Sequence, residues 1–219
     1  MDDLPRFLVR MLGDGPTARA AEEQARAGAG GERTAMLRAA VAAGRQGDEP
    51  ASEPTPNSPA SIAPDDTDRR TDPAGMTDAV ARELAAATAG LPLAEREVLA
   101  LRELLGLGYE EIAEVAGVPP DAVAPLLAAA RLHLRAELRG VGAPQPACDE
   151  PERGLRTIAL RQDGEDVTAA DDDWLIDHLG HCRSCRQAHA AMLEASACYR
   201  AWASPEVPGD PVAAAGTAS

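Results

Sequence analysis

The pattern of hydrophobic positions is most regular over residues 91–139, where it predicts three helices separated by two breaks. Apolar residues in the first helix recur at spacings of three and four residues, as one buried helix face requires. They are Leu93, Val98, Leu101, Leu104 and Leu105. Gly106 and Gly108 end this helix, and a short second helix follows over residues 109–116. Its inner face consists of Ile112, Ala113 and Ala116.

A tight turn separates the second helix from the third. Residues 117–120 read Gly-Val-Pro-Pro, in which glycine can adopt a left-handed C-cap conformation and proline cannot continue a helix. The third helix is predicted to begin at Asp121 or slightly later and to end near Arg139. Its apolar residues are Leu126, Leu127, Leu132, Leu134 and Leu138. This order of elements predicts a helix-turn-helix, although on periodicity alone a small helical bundle without a nucleic-acid role is the commoner case.

A further helix is predicted immediately before this unit, over residues 76–89, with Thr77 as its N-cap. Its inward-facing residues are Val80, Leu84 and Ala87. We expect it to pack on the helix of residues 92–105 and to complete a small core, so that residues 76–140 form one helix-turn-helix bundle.

The other segments differ from this bundle in composition. Residues 1–47 are predicted to form a weakly helical, loosely ordered N-terminal arm. One apolar stripe is available there: Leu4, Phe7, Leu8, Met11 and Leu12. Residues 48–75 are dominated by proline, serine, threonine and acidic residues, which cannot bury enough apolar surface to fold, so a disordered linker is predicted. A short hinge over residues 141–147 and a disordered tail over residues 204–219 are also predicted.

The composition limits both the size of the core and the class of partner. The 219 residues carry a net charge of −15 and 2% aromatic residues, so two small helical cores are the realistic ceiling. The acidic balance argues against general affinity for nucleic acids or for membrane surfaces. No apolar run reaches the roughly 18 residues of a spanning helix, and no signal peptide is apparent, so we expect a cytoplasmic protein. Four cysteines in such a protein suggest metal or redox chemistry before structural disulfides.

Cysteine and histidine residues cluster in residues 148–203, which are predicted to form the second folded unit. His178 and Cys182 are four residues apart, so on a helix they project from one face. Cys182 and Cys185 have the C-x2-C spacing with which two thiolates hold one ion at a helix end. Cys148 is the natural candidate for the fourth ligand of a closed tetrahedral site, and three cysteines with one histidine are a common set of zinc ligands.

Two alternatives remain open for these residues: a reduced cysteine pair beside a surface histidine, and a disulfide. His181 competes with His178 as the ligand, but it lies beside Cys182, where helix geometry directs it elsewhere. Cys198 lies beyond the motif and is interpreted as a small buried hydrophobe. No catalytic function is predicted, because four ligands close the site whereas a catalytic zinc keeps an open position.

Two helices are predicted within this unit. Thr168 or Asp171 is expected to cap the helix that delivers His178. The core face of that helix consists of Trp174, Leu175 and Leu179. A further helix is predicted over residues 187–202. The sequence therefore predicts an all-α fold: a small helix-turn-helix bundle plus a small helical zinc-binding domain, with a disordered linker and tails.

The helix-turn-helix unit also resembles a known family. The run LP-x3-RE-V-L-x-L-R, followed by G-x-G-Y-E-E-I-A-E-x-x-G-V-P, resembles region 4 of the bacterial sigma-70 family in its extracytoplasmic-function branch. The resemblance implies a domain that docks on RNA polymerase and reads the −35 promoter element. A complete sigma factor of this branch would carry an aromatic-rich region 2 near its N-terminus. Here Phe7 is the only aromatic residue before Tyr109, which argues against autonomous promoter initiation.

The match weakens where the DNA-contacting residues of that family stand. The family carries a Thr-Val-Lys-Ser-Arg-like run at the start of the second helix, but here the side chains lack hydrogen-bond donors. The residues are Ala122, Val123, Ala124, Pro125, Leu126, Ala128 and Ala129. Pro125 is harmless if the helix begins at that point and costly if it begins a turn earlier. Three arginines remain as weak candidates for phosphate contacts: Arg131, Arg135 and Arg139. Residues 76–140 contain six arginines and ten acidic residues, whereas DNA-binding proteins usually present a basic face.

The cysteine and histidine pattern resembles the zinc-binding anti-sigma family, as does the intervening run DGEDVTAADDDWLIDHL. The resemblance implies a structural Zn²⁺ held by Cys148, His178, Cys182 and Cys185, and helices that clasp a sigma factor. The alternative is that this face only packs on its own core. Metal binding would supply folding energy to a unit that is poor in aromatic residues, and oxidation of the thiols would unfold it.

Two functions compete on these grounds. The first is a transcription regulator of the sigma-factor system, whose helix-turn-helix contacts RNA polymerase core, promoter DNA or both, and whose zinc unit regulates that contact in cis. The second is an anti-sigma-type interaction module that binds a sigma factor and whose helix-turn-helix no longer reads DNA. The alanine, proline and leucine residues of the second helix motivate this alternative. We favour the first.

Overall fold

The computed structural model describes four stretches of the chain: residues 3–12, 16–28, 33–47 and 78–203. These residues form ten α-helices and no strand, so the predicted all-α fold is confirmed for the described part of the chain. Three sequence-based predictions fall outside the described residues: the linker over 48–75, the tail over 204–219 and Thr77 as an N-cap.

The helix-turn-helix bundle contains four helices. They are α4 (Asp78–Ala89), α5 (Leu93–Glu103), α6 (Tyr109–Ala116) and α7 (Pro120–Arg139). The axes of α6 and α7 differ in direction by 93°, which is the geometry of a helix-turn-helix. Gly117 makes the turn with a left-handed φ of 65°, and the Val118 N–H donates to the Ala113 carbonyl at 3.1 Å. The three predicted helices and the glycine C-cap are therefore confirmed.

Helix α7 begins at Pro120, slightly before the predicted start, so Pro125 lies inside the helix rather than at its first position. Pro125 has no N–H to donate to the carbonyl of Asp121, so one backbone hydrogen bond is missing there. The helix continues because its inner side is held by tertiary packing, with Val123 and Leu127 fully buried. Tertiary packing therefore overrides the local cost of proline, and the helix keeps a weak point on its exposed side.

One residue of α4 differs from the predicted inward pattern. Leu84 and Ala87 are 2% and 7% exposed, as predicted, but Val80 is 43% exposed. Leu84 and Ala87 pack in a cluster with Leu99 of α5. Val80 stands one turn nearer the start of α4, beyond the end of this cluster, so the prediction for Val80 was wrong.

Three helices precede the bundle in the segment predicted to be a weakly helical arm. They are α1 (Asp3–Leu12), α2 (Pro16–Gly28) and α3 (Arg33–Gly47). Phe7, Leu8 and Met11 are fully buried and belong to the same core cluster as Val98 and Ile112 of the bundle. The apolar stripe of α1 is thus covered by residues distant in sequence, which is why its own sequence gave little sign of an ordered arrangement.

The C-terminal unit contains the remaining three described helices. They are α8 (Pro151–Asp163), α9 (Ala169–His181) and α10 (Arg183–Ala203). Thr168 is the N-cap of α9, since its hydroxyl accepts a hydrogen bond from the Asp171 N–H at 3.1 Å. Helix α10 begins four residues before the predicted start at residue 187, because α9 ends directly beside it at Cys182.

Two clusters of buried side chains hold the helices together, and both include residues of the bundle and of the C-terminal unit. The larger cluster contains Leu127 of α7 and Met192 of α10. The smaller one joins Leu134 of α7 to Tyr199 and Trp202 of α10. The C-terminal helices therefore lie directly against α7, the second helix of the helix-turn-helix. The predicted domain boundaries stay a prediction.

Candidate metal centre and its contact with the helix-turn-helix

The four predicted metal ligands lie together at one end of the C-terminal unit. Cys148 precedes α8, His178 lies in the last turn of α9, Cys182 caps that helix, and Cys185 lies in the first turn of α10. One donor atom from each residue lies within 4.8 Å of the others. The fold thus brings a ligand from a distant loop to three ligands that already neighbour one another in sequence.

The spacing of the donor atoms fits one tetrahedral ion. Cys148 Sγ is 3.7 Å from Cys185 Sγ, and His178 Nε2 is 3.3 Å from Cys185 Sγ. A tetrahedral ion with metal–sulfur and metal–nitrogen bonds of about 2.3 and 2.0 Å would set these separations at about 3.8 and 3.5 Å. Three thiols and an imidazole are also the donors that a soft or borderline cation prefers. The four side chains can therefore bind a metal ion with little rearrangement.

The backbone at the junction of α9 and α10 explains the C-x2-C spacing. The Cys182 N–H donates to the His178 carbonyl at 2.7 Å, and the Cys185 N–H points to Cys182 Sγ at 3.5 Å. Gly154 of α8 lies against the same cluster, since a Cβ at that position would be 3.2 Å from Cys185 Sγ. A side chain there would press on the sulfur, so glycine allows α8 to approach the centre this closely.

A second layer of side chains orients His178. The Trp174 ring stacks on the His178 ring with centroids 4.6 Å apart and planes 16° apart. The guanidinium of Arg153 lies 4.2 Å from the centroid of Trp174 and is held by Asp171 at 2.9 Å. Such outer contacts fix the ring orientation of a metal-binding histidine. Trp174, predicted only as a core residue, therefore also supports the centre.

The thiols of the centre differ in acidity when no cation is present. Hydrogen bonds from the Ser184 side chain and the Cys185 backbone lower the pKa of Cys182 to about 6. Burial raises the pKa of Cys185 to about 12, and the neighbouring cysteines add to that effect. Cys182 is thus ready to bind a cation as a thiolate, whereas Cys185 ionises when a cation compensates its charge. Binding should release protons.

The competing histidine and the fourth cysteine stand apart from this cluster. The His181 ring nitrogen Nδ1 lies 3.0 Å from the Asp177 carbonyl, and its side chain is 83% exposed. Cys198 packs against the smaller buried cluster, as its interpretation as a small hydrophobe predicts. The metal-ligating group found in the described residues contains His178 and neither of these two.

The three arginines predicted as weak phosphate contacts lie along α7, and each one is paired with a carboxylate. Arg131 is completely buried and donates to Asp163 of α8 and to Glu103 of α5, each at a shortest distance of 2.7 Å. Arg135 and Arg139 both pair with Glu194 of α10. Arg131 offers no exposed surface in this arrangement, so a contact with phosphate requires the C-terminal helices to move away. The phosphate contacts stay a prediction.

A buried polar cluster surrounds Arg131 and joins the two units. Glu103 also accepts hydrogen bonds from the Ser196 hydroxyl at 2.7 Å and from Arg200 at 2.8 Å. Asp163 accepts one from the Tyr109 hydroxyl at 2.7 Å. Sequence reasoning missed both acids. For Glu103 a signal existed, because it stands four residues after Leu99 and so shares the buried face of α5.

Comparison with known proteins supports one part of the sequence interpretation. Residues 81–134 match a family model described as "Sigma-70, region 4". The match covers most of α4, all of α5 and α6, and α7 as far as Leu134, so this segment is similar to region 4 of sigma-70, a transcription-related domain with a helix-turn-helix. It does not extend to residues 148–203, where the anti-sigma resemblance stays an interpretation. No curated protein and no solved structure matches the chain.

Among the described helices, no single one is long and apolar enough to cross a bilayer. Helices α6 and α7 taken together meet the requirement of length and composition, but they are bent by 93° at the turn of the helix-turn-helix.

Proposed function

We propose that this protein is a transcription regulator of the sigma-factor system. Its region 4 helix-turn-helix contacts RNA polymerase core, promoter DNA or both. The unit of residues 148–203 binds a structural Zn²⁺ and regulates that contact within the same chain. The observation that carries the proposal is the direct packing of α8 and α10 on α7, together with a four-ligand centre in the unit that supplies them.

The choice of Zn²⁺ rests on the ligand set. Three cysteines and one histidine are typical ligands of structural zinc, and these four side chains would fill all four positions of a tetrahedral ion. The unit has few large apolar residues in its own core, so ligand binding would supply part of its folding free energy. A change in metal occupancy or in thiol oxidation would then change how α8 and α10 cover α7.

The test is a binding assay with purified RNA polymerase core and the full chain. Cys182→Ser removes one ligand, and Cys198→Ser is the matched control, because it changes a cysteine outside the centre. We expect the affinity for core to differ between the metal-loaded chain and Cys182→Ser, and to be unchanged by Cys198→Ser. Absence of any binding to core polymerase, together with absence of salt-dependent binding to −35 DNA, would rule the proposal out.

A second function is favoured by the surface of the helix-turn-helix. The start of α7 carries no side-chain donor between Ala122 and Ala129, and the outer side of the motif presents four exposed acids. They are Glu110, Glu111, Glu114 and Asp121. Such a surface repels DNA and suits a protein partner, which supports an anti-sigma-type interaction module that binds a separate sigma factor.

Pull-down of a sigma factor by the full chain distinguishes the two functions. An interaction module should retain its partner when Arg131, Arg135 and Arg139 are replaced, because its binding does not use phosphate contacts. A chain that keeps its metal and its helices but captures no sigma factor would count against this second function.

A further inference from the structure

The arginine stripe of α7, defined as Arg131, Arg135 and Arg139, is closed by acids of the C-terminal unit. Arg131 makes two parallel bonds to Asp163, from Nη2 to Oδ1 at 2.7 Å and from Nη1 to Oδ2 at 3.0 Å. Glu194 bridges the other two arginines, accepting from Arg135 Nε at 3.2 Å and from Arg139 Nε at 3.0 Å. Two carboxylates of α8 and α10 thus engage all three arginines, while Glu103 of α5 holds the other side of the Arg131 guanidinium at 2.7 Å.

The geometry at Arg131 is the fork-to-fork pairing that a guanidinium also makes with a phosphate. Asp163 presents two oxygens in one plane to two guanidinium nitrogens, as two phosphate oxygens would. Arginines four residues apart on one helix face, spaced by one turn, form a row that a polyanion can follow. The acids of the C-terminal unit therefore occupy the positions that phosphate oxygens of a nucleic acid would take.

The two ends of the arginine stripe differ in solvent exposure. Arg131 and Asp163 are buried, and Asp163 is further fixed by the Tyr109 hydroxyl. Arg139 is 57% exposed and Glu194 is partly exposed, so this end meets solvent and salt ions. Arg139 and Arg135 lower the pKa of Glu194, so it stays ionised at neutral pH. Opening should begin at the exposed end and reach Arg131 last.

We propose that Asp163 and Glu194 form a carboxylate latch over the arginine stripe of α7, so that the C-terminal unit and a polyanion of the DNA type compete for the same three guanidinium groups. The inference rests on the proposed regulation in cis and adds the residues that carry it. It also assigns a partner chemistry to a region 4 helix whose first turns lack donors. The stripe would supply phosphate contacts without base recognition.

The experiment measures binding of the metal-loaded full chain to a fluorescein-labelled DNA duplex over a series of KCl concentrations. The test variant is Asp163→Asn with Glu194→Gln. The matched control is Asp172→Asn with Asp173→Asn on α9. It also removes two negative charges, and it also breaks one ion pair, that of Arg161 with Asp172. Glu103 keeps its pair with Arg131 in this variant, so the slope of log affinity against log salt should steepen by up to about 2.7, or up to about 40-fold over a fourfold rise in salt.

A second variant distinguishes opening of the latch from a loss of folding. Glu194→Gln alone changes only the exposed end and should steepen the slope by about 1.8, for two phosphates. Replacing all three arginines by glutamine in the Asp163→Asn/Glu194→Gln background should remove the gain. Equal binding by the test and control variants, or a gain that survives loss of the arginines, would overturn the latch.

Binding of the same variants to RNA polymerase core separates this proposal from the preceding one. Retained polymerase binding without a change in the DNA slope overturns the latch and leaves the proposed function standing. Loss of polymerase binding by all chains, with the DNA slope changed as expected, supports the latch and counts against a polymerase partner.

Discussion

The helix-turn-helix and the C-terminal unit are both small and helical, but different interactions hold them together. The helix-turn-helix contributes many fully buried apolar side chains to the core, such as Leu99, Leu101 and Ile112. The C-terminal unit has four candidate metal ligands at one end and contributes buried side chains to both clusters that it shares with the bundle. Changes in solvent or redox conditions should therefore alter mainly the stability of the C-terminal unit. The helix-turn-helix would respond through its contact with that unit along α7.

The largest expected effect is on the C-terminal unit, through its metal. Cys185→Ser removes the most buried ligand, and structural zinc contributes about 10 kcal/mol to the folding of small metal-dependent units. We expect loss of bound metal and loss of helical signal from α8 to α10, with the helix-turn-helix retained. Metal content by mass spectrometry and circular dichroism measure this, with Cys198→Ser as the control. A folded, metal-free Cys185→Ser chain would contradict the comparison.

The next effect concerns the buried pairs that join the two units. Arg131→Met removes the fully buried cation that Glu103 and Asp163 share, and leaves them only their pairs with Arg200 and Arg102. Breaking a buried pair on one side costs up to about 3–5 kcal/mol. Denaturation in urea should show this loss in the free energy of unfolding. Arg161→Met is the control, because its pair with Asp172 lies at the surface and should contribute less than about 1 kcal/mol. Equal losses in both variants would show that Arg131 has no special role.

A smaller effect on stability is expected within the helix-turn-helix. Pro125→Ala restores the backbone donor to the interior of α7 and should raise the free energy of unfolding by up to about 3 kcal/mol. Pro120→Ala is the matched control, because proline at the first helical position costs little. Denaturation midpoints measure both changes. No difference between the two would mean that α7 has adapted fully to Pro125.

The smallest effect concerns the support of the metal ligand. Trp174→Leu keeps an apolar side chain in α9 but removes the ring that stacks on His178. Loss of an outer contact of this kind lowers metal affinity by about tenfold, or about 1.4 kcal/mol. Competition with a chromophoric chelator measures the affinity. An unchanged value would show that the backbone alone fixes the imidazole.

Local patterns in the sequence predicted the parts of the fold that local interactions determine. The helices around Gly106 and Gly117 follow from glycine positions and apolar spacing, and the metal ligands follow from the spacing of His178, Cys182 and Cys185. Cys148 lies far from them in sequence and was placed by ligand count. The structure brings it to 3.7 Å from Cys185.

What the sequence did not predict depends on contacts between distant segments. The packing of Phe7 on the bundle has no local signal, because an apolar stripe alone does not say what covers it. The burial of Arg131 was missed for the same reason: its partner Asp163 lies 32 residues away in another unit. Arginines spaced four residues apart on a helix indicate a solvent-exposed face, and only knowledge of their partners shows that one of them is buried.

Hydrogen exchange of α7 in the full chain, with the metal bound and after chelation, tests the central claim most directly. The account predicts that removing the metal releases α8 and α10, so that amides in the half of α7 around Arg131 and Leu134 exchange faster while those of α6 keep their protection. Unchanged exchange throughout α7 after complete loss of metal would contradict it, because the metal-binding unit would then not control the surface of the helix-turn-helix.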